Sequence, residues 1–482
     1  MITVGFDFGT HQTKICYETV ESGTTLHEVF RFRRSDGDET LTLPSVVQLR
    51  PDGTILYGHD ALSKVVGGTT ITYFKQIMFS WTSSEDDRVK AEQWSTLYLA
   101  FVIFNLDKKL QGGRYVLHMG MPTDADPYHY DFCKRQAIKV MASAMLLARN
   151  VFKGDRTAFL HTTYDQLLTC VTKCMEAVPC DIYEARKRFP IFVFPEAYVA
   201  LLPLIKDRKL PDVGPNLFVD IGGGTVDISF FTAHEGSVPW LYYYYSMPCG
   251  LNMITGQEVG VCHNVQVGLG QIKPQGVDLF RQKMVGAVDT IVSTLRRLYG
   301  NMGRMNVMPF TNLCGQIFDG RPICYSGGGS MFNQLRLPMV HDPDGSGFSY
   351  NFSNVATVSE LINHSSLYVD ENIFHVLATA YALSHHDLID TRRVREPDYI
   401  RLAPVESLFL GIHIPLTDAQ RAGYDMKLHY MADFRNSSGE LVLSGERELS
   451  PSFTYTRDNS YDDETMRHKN PEDIQRELYG DW

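Results

Sequence analysis

The spacing of apolar and polar positions divides the chain into alternating strands and helices from its first residues. Residues 1–20 predict a β-hairpin, and Leu43-Pro44-Ser45-Val46-Val47 and Thr54-Ile55-Leu56-Tyr57-Gly58 predict further short strands. Ala61–Val66 and Trp94–Leu110 have helical spacing, and Arg114–Met121 predicts a buried strand ending at Pro122. Asp131–Asn150 predicts a helix with Phe132, Ala137, Val140, Ala144 and Leu147 on one face. Thr163–Met175 and Ile182–Arg188 predict two more helices. Ile191-Phe192-Val193-Phe194 then predicts a strand leading through Pro195-Glu196 into a helix over Ala197–Ile205.

The second half repeats this scheme. A hairpin at 217–232 is followed by an aromatic strand at Trp240–Tyr245, a long amphipathic helix over Asp278–Tyr299, a strand at 322–328 and a helix over Asn372–Ser384. Strands interleaved with helices in two similar halves predict an α/β architecture. Beyond about Asp390 the pattern changes. Met426–Phe434 and Glu440–Ser444 alternate around Asn436-Ser437-Ser438-Gly439 and predict one hairpin, so 391–450 is read as a short C-terminal β extension. Residues 451–482 are read as a polar tail with a short terminal helix.

Composition narrows the class. At 482 residues, with 44% hydrophobic and 21% charged residues, the chain is globular and long enough for two lobes. A net charge of −11 argues against nucleic acid as the main partner, since phosphate contacts need clustered Lys and Arg. No apolar run reaches the roughly 18 residues of a membrane span. Met1 leads straight into a strand, so no signal peptide is expected. The nine cysteines are odd in number and scattered, which fits a reducing cytoplasm. Cys170, Cys174 and Cys180 lie near His161, but their spacing matches no compact zinc signature, and Cys170 and Cys174 also fit one helix face.

Chemistry enters at the strand ends. Phe218-Val219-Asp220-Ile221-Gly222-Gly223-Gly224-Thr225-Val226-Asp227 runs from an apolar strand through an acid and three glycines to hydroxyl and acid. Consecutive glycines let bare N–H groups approach an anion, most often a phosphate. The flanking acid would repel phosphate unless a metal ion lay between, which points to a nucleotide with Mg²⁺; alone, the segment also reads as a glycine turn between hairpin strands. A near-copy, Val4-Gly5-Phe6-Asp7-Phe8-Gly9-Thr10-His11-Gln12-Thr13-Lys14, stands about two hundred residues earlier. A third glycine element, Ser326-Gly327-Gly328-Gly329-Ser330, follows another short strand. Together they read as an internal duplication gripping one polyphosphate from both sides.

With these elements in this order, the sequence resembles the superfamily of actin, sugar kinases and seventy-kilodalton heat-shock chaperones, and looks most like the DnaK-type ATPase domain. Asp7–Thr10 resembles that family's first phosphate loop, Asp220–Asp227 its second, and Ser326–Ser330 its adenosine loop. Phe74-Lys75-Gln76-Ile77 lies where the family has a lysine that reaches the transferred phosphate. Pro195-Glu196 lies where it has its connecting Glu, and Leu377–Leu383 resembles the closing helix. The likeness spans about residues 1–390. The chain departs from the family in four places: a mostly helical insert at about 150–190, a stretch from Cys249 to Gly276 too short for a full upper subdomain and without the charged helix that clasps adenine, His11 and Gln12 after the first Gly-Thr, and a C-terminus too short for a peptide-binding domain.

The resemblance implies a two-lobed fold, each lobe built on a duplicated ribonuclease-H-like mixed sheet flanked by helices. Lobe I would span 1–213, completed by the helix at 372–390, and lobe II would span 214–371. It implies ATP or ADP held with Mg²⁺ and slow phosphoryl transfer to water. Gly9, Thr10, His11 and Gln12, with Gly222, Gly223, Gly224 and Thr225, would hold phosphates. Gly327, Gly328, Gly329 and Ser330 would hold the nucleoside. Asp7 and Asp220 would hold Mg²⁺, largely through waters. Lys75 would neutralise charge on the terminal phosphate, while Thr225, Glu196 and Asp227 would position water or accept its proton. Lys75 also reads as a surface lysine, and Glu196 as a structural hydrogen bond at the lobe hinge. The expected activity is a cytoplasmic, DnaK-like ATPase switch for a protein partner, docking through the 150–190 insert, the lobe faces or the tail. The alternatives are a filament-forming actin relative, a small-molecule kinase, which would need a carboxylate base facing a substrate cleft, and a nucleotide-sensing scaffold without turnover.

Overall fold

The computed structural model describes residues 2–21, 24–62, 65–80, 82–110, 115–122, 127–206, 209–210, 216–232, 240–247, 249–255, 272–302, 320–341 and 350–388. The expected β extension at 391–450 and tail at 451–482 lie outside the described residues.

Two mixed sheets are built to one five-stranded plan, the first with the short strand Leu43–Pro44 added beside its second strand. The first contains β1 (Ile2–Phe8), β2 (Gln12–Glu21), β3 (Thr24–Val29), β4 (Tyr115–Met121) and β5 (Ile191–Pro195), in the order β5-β4-β1-β2-β3. The second contains β6 (Asn216–Ile221), β7 (Val226–Thr232), β8 (Trp240–Met247), β9 (Pro322–Ser326) and β10 (Asn354–Thr357), in the order β8-β7-β6-β9-β10. In each, the first three strands form an antiparallel meander and the last two add in parallel to the first. The duplication expected from the glycine motifs is therefore a duplication of whole sheets. β1 and β6 are central and buried along nearly their whole length, so they read as apolar runs rather than alternating ones.

Helices cover the sheets. In lobe I these include α1 (Phe74–Met78), α2 (Glu85–Lys109), α3 (Pro127–Leu146), α4 (Arg156–His161), α5 (Tyr164–Ala177) and α6 (Ile182–Arg188). Ser84 caps α2 by accepting from the Asp87 amide, acids fill its first turn, and Lys108 and Lys109 close its last. Thr163 and Gln166 form a capping box at the start of α5. The single helix expected over Ala197–Ile205 is two short ones, α7 (Glu196–Val199) and α8 (Leu202–Lys206). Pro203 cannot donate to a preceding carbonyl, so it is tolerated in a first turn but not within a continuous helix. Among the described residues, the helical spacing at Ala61–Val66 is represented by a 3₁₀ turn at Asp60–Leu62, with Gly67 at positive φ soon after. β3 went unpredicted because its side chains are mostly exposed or half-buried.

Lobe II carries α9 (Leu251–Thr255) and α10 (Pro274–Met302), and α11 (Glu371–Leu383) follows its last strand. One core joins β1 to α2 and α3, and another joins β6 to α10 through Phe280 and Met284. A third core belongs to both halves. Cys16 of β2, Phe218 of β6 and Cys324 of β9 meet Leu201 and Leu204 beside α11 residues Phe374, Ala378 and Tyr381. This shared layer brings the ends of β1 and β6 to opposite sides of one cavity.

Candidate functional site

That cavity gathers nearly every residue marked by the sequence motifs. Its lining includes Asp7, Gly9–Gln12, Lys75, Glu196, Asp220, Gly222–Thr225, Asp227, Gly327 and Gly328. Gly329 and Ser330 lie behind the wall instead. Ser330 Oγ donates to the Gly327 carbonyl (2.7 Å) and pairs with His375 Nδ1 (2.9 Å), so it shapes the third loop from the rear. Gly327 has φ +77°, and a Cβ there would meet Asp220 Oδ1. Only glycine lets the third loop come so close to the second acid.

The two phosphate-type loops are tied down in the same manner. In the first, Ser45 Oγ donates to the Gly9 carbonyl (2.7 Å) and the Ser45 amide to the His11 carbonyl (2.8 Å). In the second, the Gly250 amide donates to the Gly224 carbonyl (3.1 Å) and the Leu251 amide to the Gly222 carbonyl (3.0 Å). With those carbonyls engaged, what each loop can still offer a ligand is its amides, the groups that bind anions. Ser45 was read only as part of a strand. Its role depends on the short strand Leu43–Pro44 pairing with Gln12 and Thr13 of β2, a contact no local motif announces.

The hairpin register sets the charges. Asp7 and Lys14 are directly opposed across β1 and β2, with Lys14 Nζ 2.6 Å from Asp7 Oδ2. Burial works against the Lys14 charge, but Asp7, with help from Asp220 and Glu196, holds its pKa above the usual lysine value. The sequence reading missed Lys14, although its place opposite Asp7 follows once a tight hairpin is assumed. The equivalent pair in the second hairpin is Asp220 opposite Asp227, two like charges. Burial first, and then Asp227, pushes the Asp220 carboxyl up to about 7 against the opposing pull of Lys14.

Lys75 and Glu196 complete the centre. Lys75 is 5% exposed rather than a surface lysine, and its Nζ donates to Glu196 Oε1 at 2.6 Å. Burial raises the Glu196 pKa, Lys75 opposes the shift, and Asp7 and Asp227 add to it. Thr225 Oγ1 donates to Asp227 Oδ2 at 3.4 Å. Leu251, Phe332 and Val376 give another part of the lining an apolar surface.

Four carboxylates supply hard oxygen donors, and the two lysines beside them leave an excess of acids over bases that a divalent cation would relieve. Among the described residues, no three acid, histidine or cysteine side chains converge as a complete ligand set. A Mg²⁺ ion here would therefore take much of its coordination from water and phosphate, as its reluctant dehydration favours. Asp7 and Asp220 fit that role.

No protein-family model and no curated protein matches the chain. Among solved structures it is similar to a non-polymerising mutant of MamK bound to AMPPNP, at 14% identity and a TM-score of 0.35, over 79% of this chain and 97% of that one. It is also similar to MreB5 of Spiroplasma citri bound to ADP, at 15% identity and a TM-score of 0.28, over 53% of this chain and 54% of that one. The duplicated sheet order agrees with the expected α/β architecture of two similar halves. The expected closeness to the DnaK branch is not supported by these comparisons. Among the described residues, no helix is long and apolar enough to cross a membrane.

Proposed function

We propose that this chain binds ATP with Mg²⁺ between its lobes and hydrolyses it slowly, so that turnover switches the interlobe arrangement presented to a protein partner. The observation that supports this reading is the pair of glycine loops, each pinned by its carbonyls and each ending a central strand at one cavity.

In this reading the amides of Gly9–His11 and Gly223–Thr225 hold the phosphates, the Gly222 amide being engaged by the Thr225 carbonyl (2.9 Å), with Thr10, Gln12 and Thr225 adding side-chain contacts. Gly327 and Gly328, with Leu251, Phe332 and Val376, receive the nucleoside. Asp7 and Asp220 would hold Mg²⁺, which would supply charge neutralisation on the phosphate oxygens. Lys75 steadies the charge that develops as the terminal phosphoryl group leaves, a preorganised electrostatic role. Glu196 has a pKa already raised by its surroundings and sits beside that lysine, so its carboxylate accepts a proton from the attacking water. Asp227 orients Thr225 on the same side. The chaperone assignment is dropped. The partner surface is proposed at the 150–190 insert, the lobe faces or the C-terminal tail, and the cytoplasm is the proposed location.

Equilibrium ATP binding and phosphate release by wild type, Asp7→Ala and Glu196→Ala test the reading. Asp7→Ala is expected to weaken Mg²⁺-dependent binding, and Glu196→Ala to slow release while ATP still binds. A wild-type chain that neither binds nor hydrolyses ATP overturns the proposal. Binding without release favours a sensing scaffold, and ATP-dependent pelleting at rising protein concentration favours a filament-forming ATPase.

A further inference from the structure

We infer that His11, acting through Tyr73, transmits the occupancy of the second glycine loop to Lys75, and so sets how strongly the site distinguishes a nucleoside triphosphate from a diphosphate; the inference rests on the ATP reading above. The His11 ring belongs to lobe I yet packs on lobe II. A Cβ added to Gly223 would stand 2.6 Å from His11 Nδ1, and one added to Gly224 would stand 2.9 Å from Cε1. Ring and loop fill each other's space, so a displacement of one displaces the other.

The same ring meets Tyr73 edge to face, with centroids 5.5 Å apart and planes at 87°. Tyr73 is held at φ 59°, a left-handed conformation that a bulky L-residue adopts only under strain. It is the residue immediately before α1, and Lys75 is the second residue of that helix, bound to Glu196. A contiguous path thus runs from Gly223 and Gly224 through His11, Tyr73 and Lys75 to Glu196. Burial, then Lys14, lowers the His11 pKa to about 4, so near neutral pH the ring is uncharged and acts by shape. A terminal phosphate drawn onto the Gly223–Gly224 amides shifts that loop. The ring follows, and the strained turn at Tyr73 gives it somewhere to go. The first turn of α1 then moves Lys75 relative to Glu196. His11 is in this sense a positioning residue.

The test is calorimetric titration of the full chain with Mg²⁺ and either ADP or AMPPNP, for wild type, His11→Ala, Tyr73→Phe, Tyr73→Gly and the double variant His11→Ala/Tyr73→Gly. Wild type is expected to separate the two nucleotides by about tenfold or more, a usual size for coupling between sites. His11→Ala should bring the affinities within about twofold of each other while both still bind. Tyr73→Gly keeps the left-handed backbone but loses the ring, and should behave the same way; Tyr73→Phe should retain the wild-type ratio. The double variant should lose no more than either single one, the mark of a shared path. In phosphate release, His11→Ala should lower kcat, because Lys75 is no longer drawn into place by the occupied loop. If His11→Ala does not fold, His11→Gln, which fills space without an aromatic ring, is expected to lose the ratio equally. An unchanged ratio in the folded His11 variant overturns this inference and leaves the ATP reading standing. A wild-type chain that binds neither nucleotide overturns both.

Discussion

Asp7 and Lys14 face each other across the first hairpin at 2.6 Å, while the matching positions of the second hairpin hold two acids, Asp220 and Asp227. The duplicated scaffold therefore sets a lysine opposite the acid in one hairpin and a second acid opposite it in the other. Lys14→Met removes that cation and leaves Asp7 buried without it. Losing one partner of a buried pair commonly costs about 3–5 kcal/mol. The variant is expected to unfold at lower denaturant than wild type, and added Mg²⁺ without nucleotide should recover much of the loss by binding only the folded form. Urea unfolding with and without Mg²⁺ checks this. Equal Mg²⁺ responses in variant and wild type would show that Lys14 does not occupy the metal's electrostatic place.

Gly120 of β4 underlies Glu196. A Cβ at position 120 would lie 2.8 Å from Glu196 Cγ and 3.0 Å from its Oε1, so Gly120→Ala must displace the carboxylate from Lys75. Phosphate release should fall at least about tenfold, because small misplacements of reacting groups are costly. The overpacking should destabilise the fold by about 1–3 kcal/mol. Gly286→Ala on the exposed face of α10 is the matched control. Nothing lies within 4 Å of its added Cβ, so it should stabilise by about 0.5–1 kcal/mol and leave release unchanged.

The glycine loops and their acids were legible because each is a local pattern, a strand end followed by glycine and hydroxyl. The same holds for α5 and α10, whose periodicity is strong. Lys14 was not legible, because within β2 it reads as one polar residue of an alternating strand, and only the hairpin register gives it meaning. Ser45 needed a pairing between distant segments, and the function of Gly120 needed Glu196 to arrive from β5. The break between α7 and α8 was written in Pro203 and overridden by the apolar run around it. His11 was legible as a phosphate-loop residue and a departure from the family, but its ring wedged against Gly223 is a tertiary fact no local pattern gives.

His375 gives the fold a pH signature. It is 4% exposed, pairs with Ser330 Oγ, and has a pKa lowered to about 4 by burial and then by Arg336. An unfolded histidine titrates near 6.5. Between those values the unfolded chain binds more protons, so this residue's contribution favours folding above about pH 6.5 and is lost as pH falls toward 4. At about 1.4 kcal/mol per pKa unit, the loss is on the order of 3 kcal/mol. His375→Asn should flatten the decline of the urea midpoint over that window. An unaltered slope would mean that His375 is already accessible to protonation in the folded chain.

The Lys75–Glu196 contact allows stability to be separated from chemistry. Lys75→Met alone leaves a crowded carboxylate without its cation and should destabilise by about 3 kcal/mol, the lower end for broken buried pairs because the Glu196 side chain keeps 25% exposure. Glu196→Gln alone leaves the ammonium buried beside a neutral amide and should cost less, since the amide oxygen still accepts its hydrogen bond. The double variant Lys75→Met/Glu196→Gln removes both charges, and its stability should return to within about 1 kcal/mol of wild type. Its phosphate release should nonetheless stay at the level of the worse single variant, because the two groups act as one unit on the terminal phosphate. Denaturant unfolding and single-turnover release on the same four proteins check both halves. If stability and release recover together in the double variant, the pair is a structural clasp. If stability recovers and release does not, the contact belongs to the reaction.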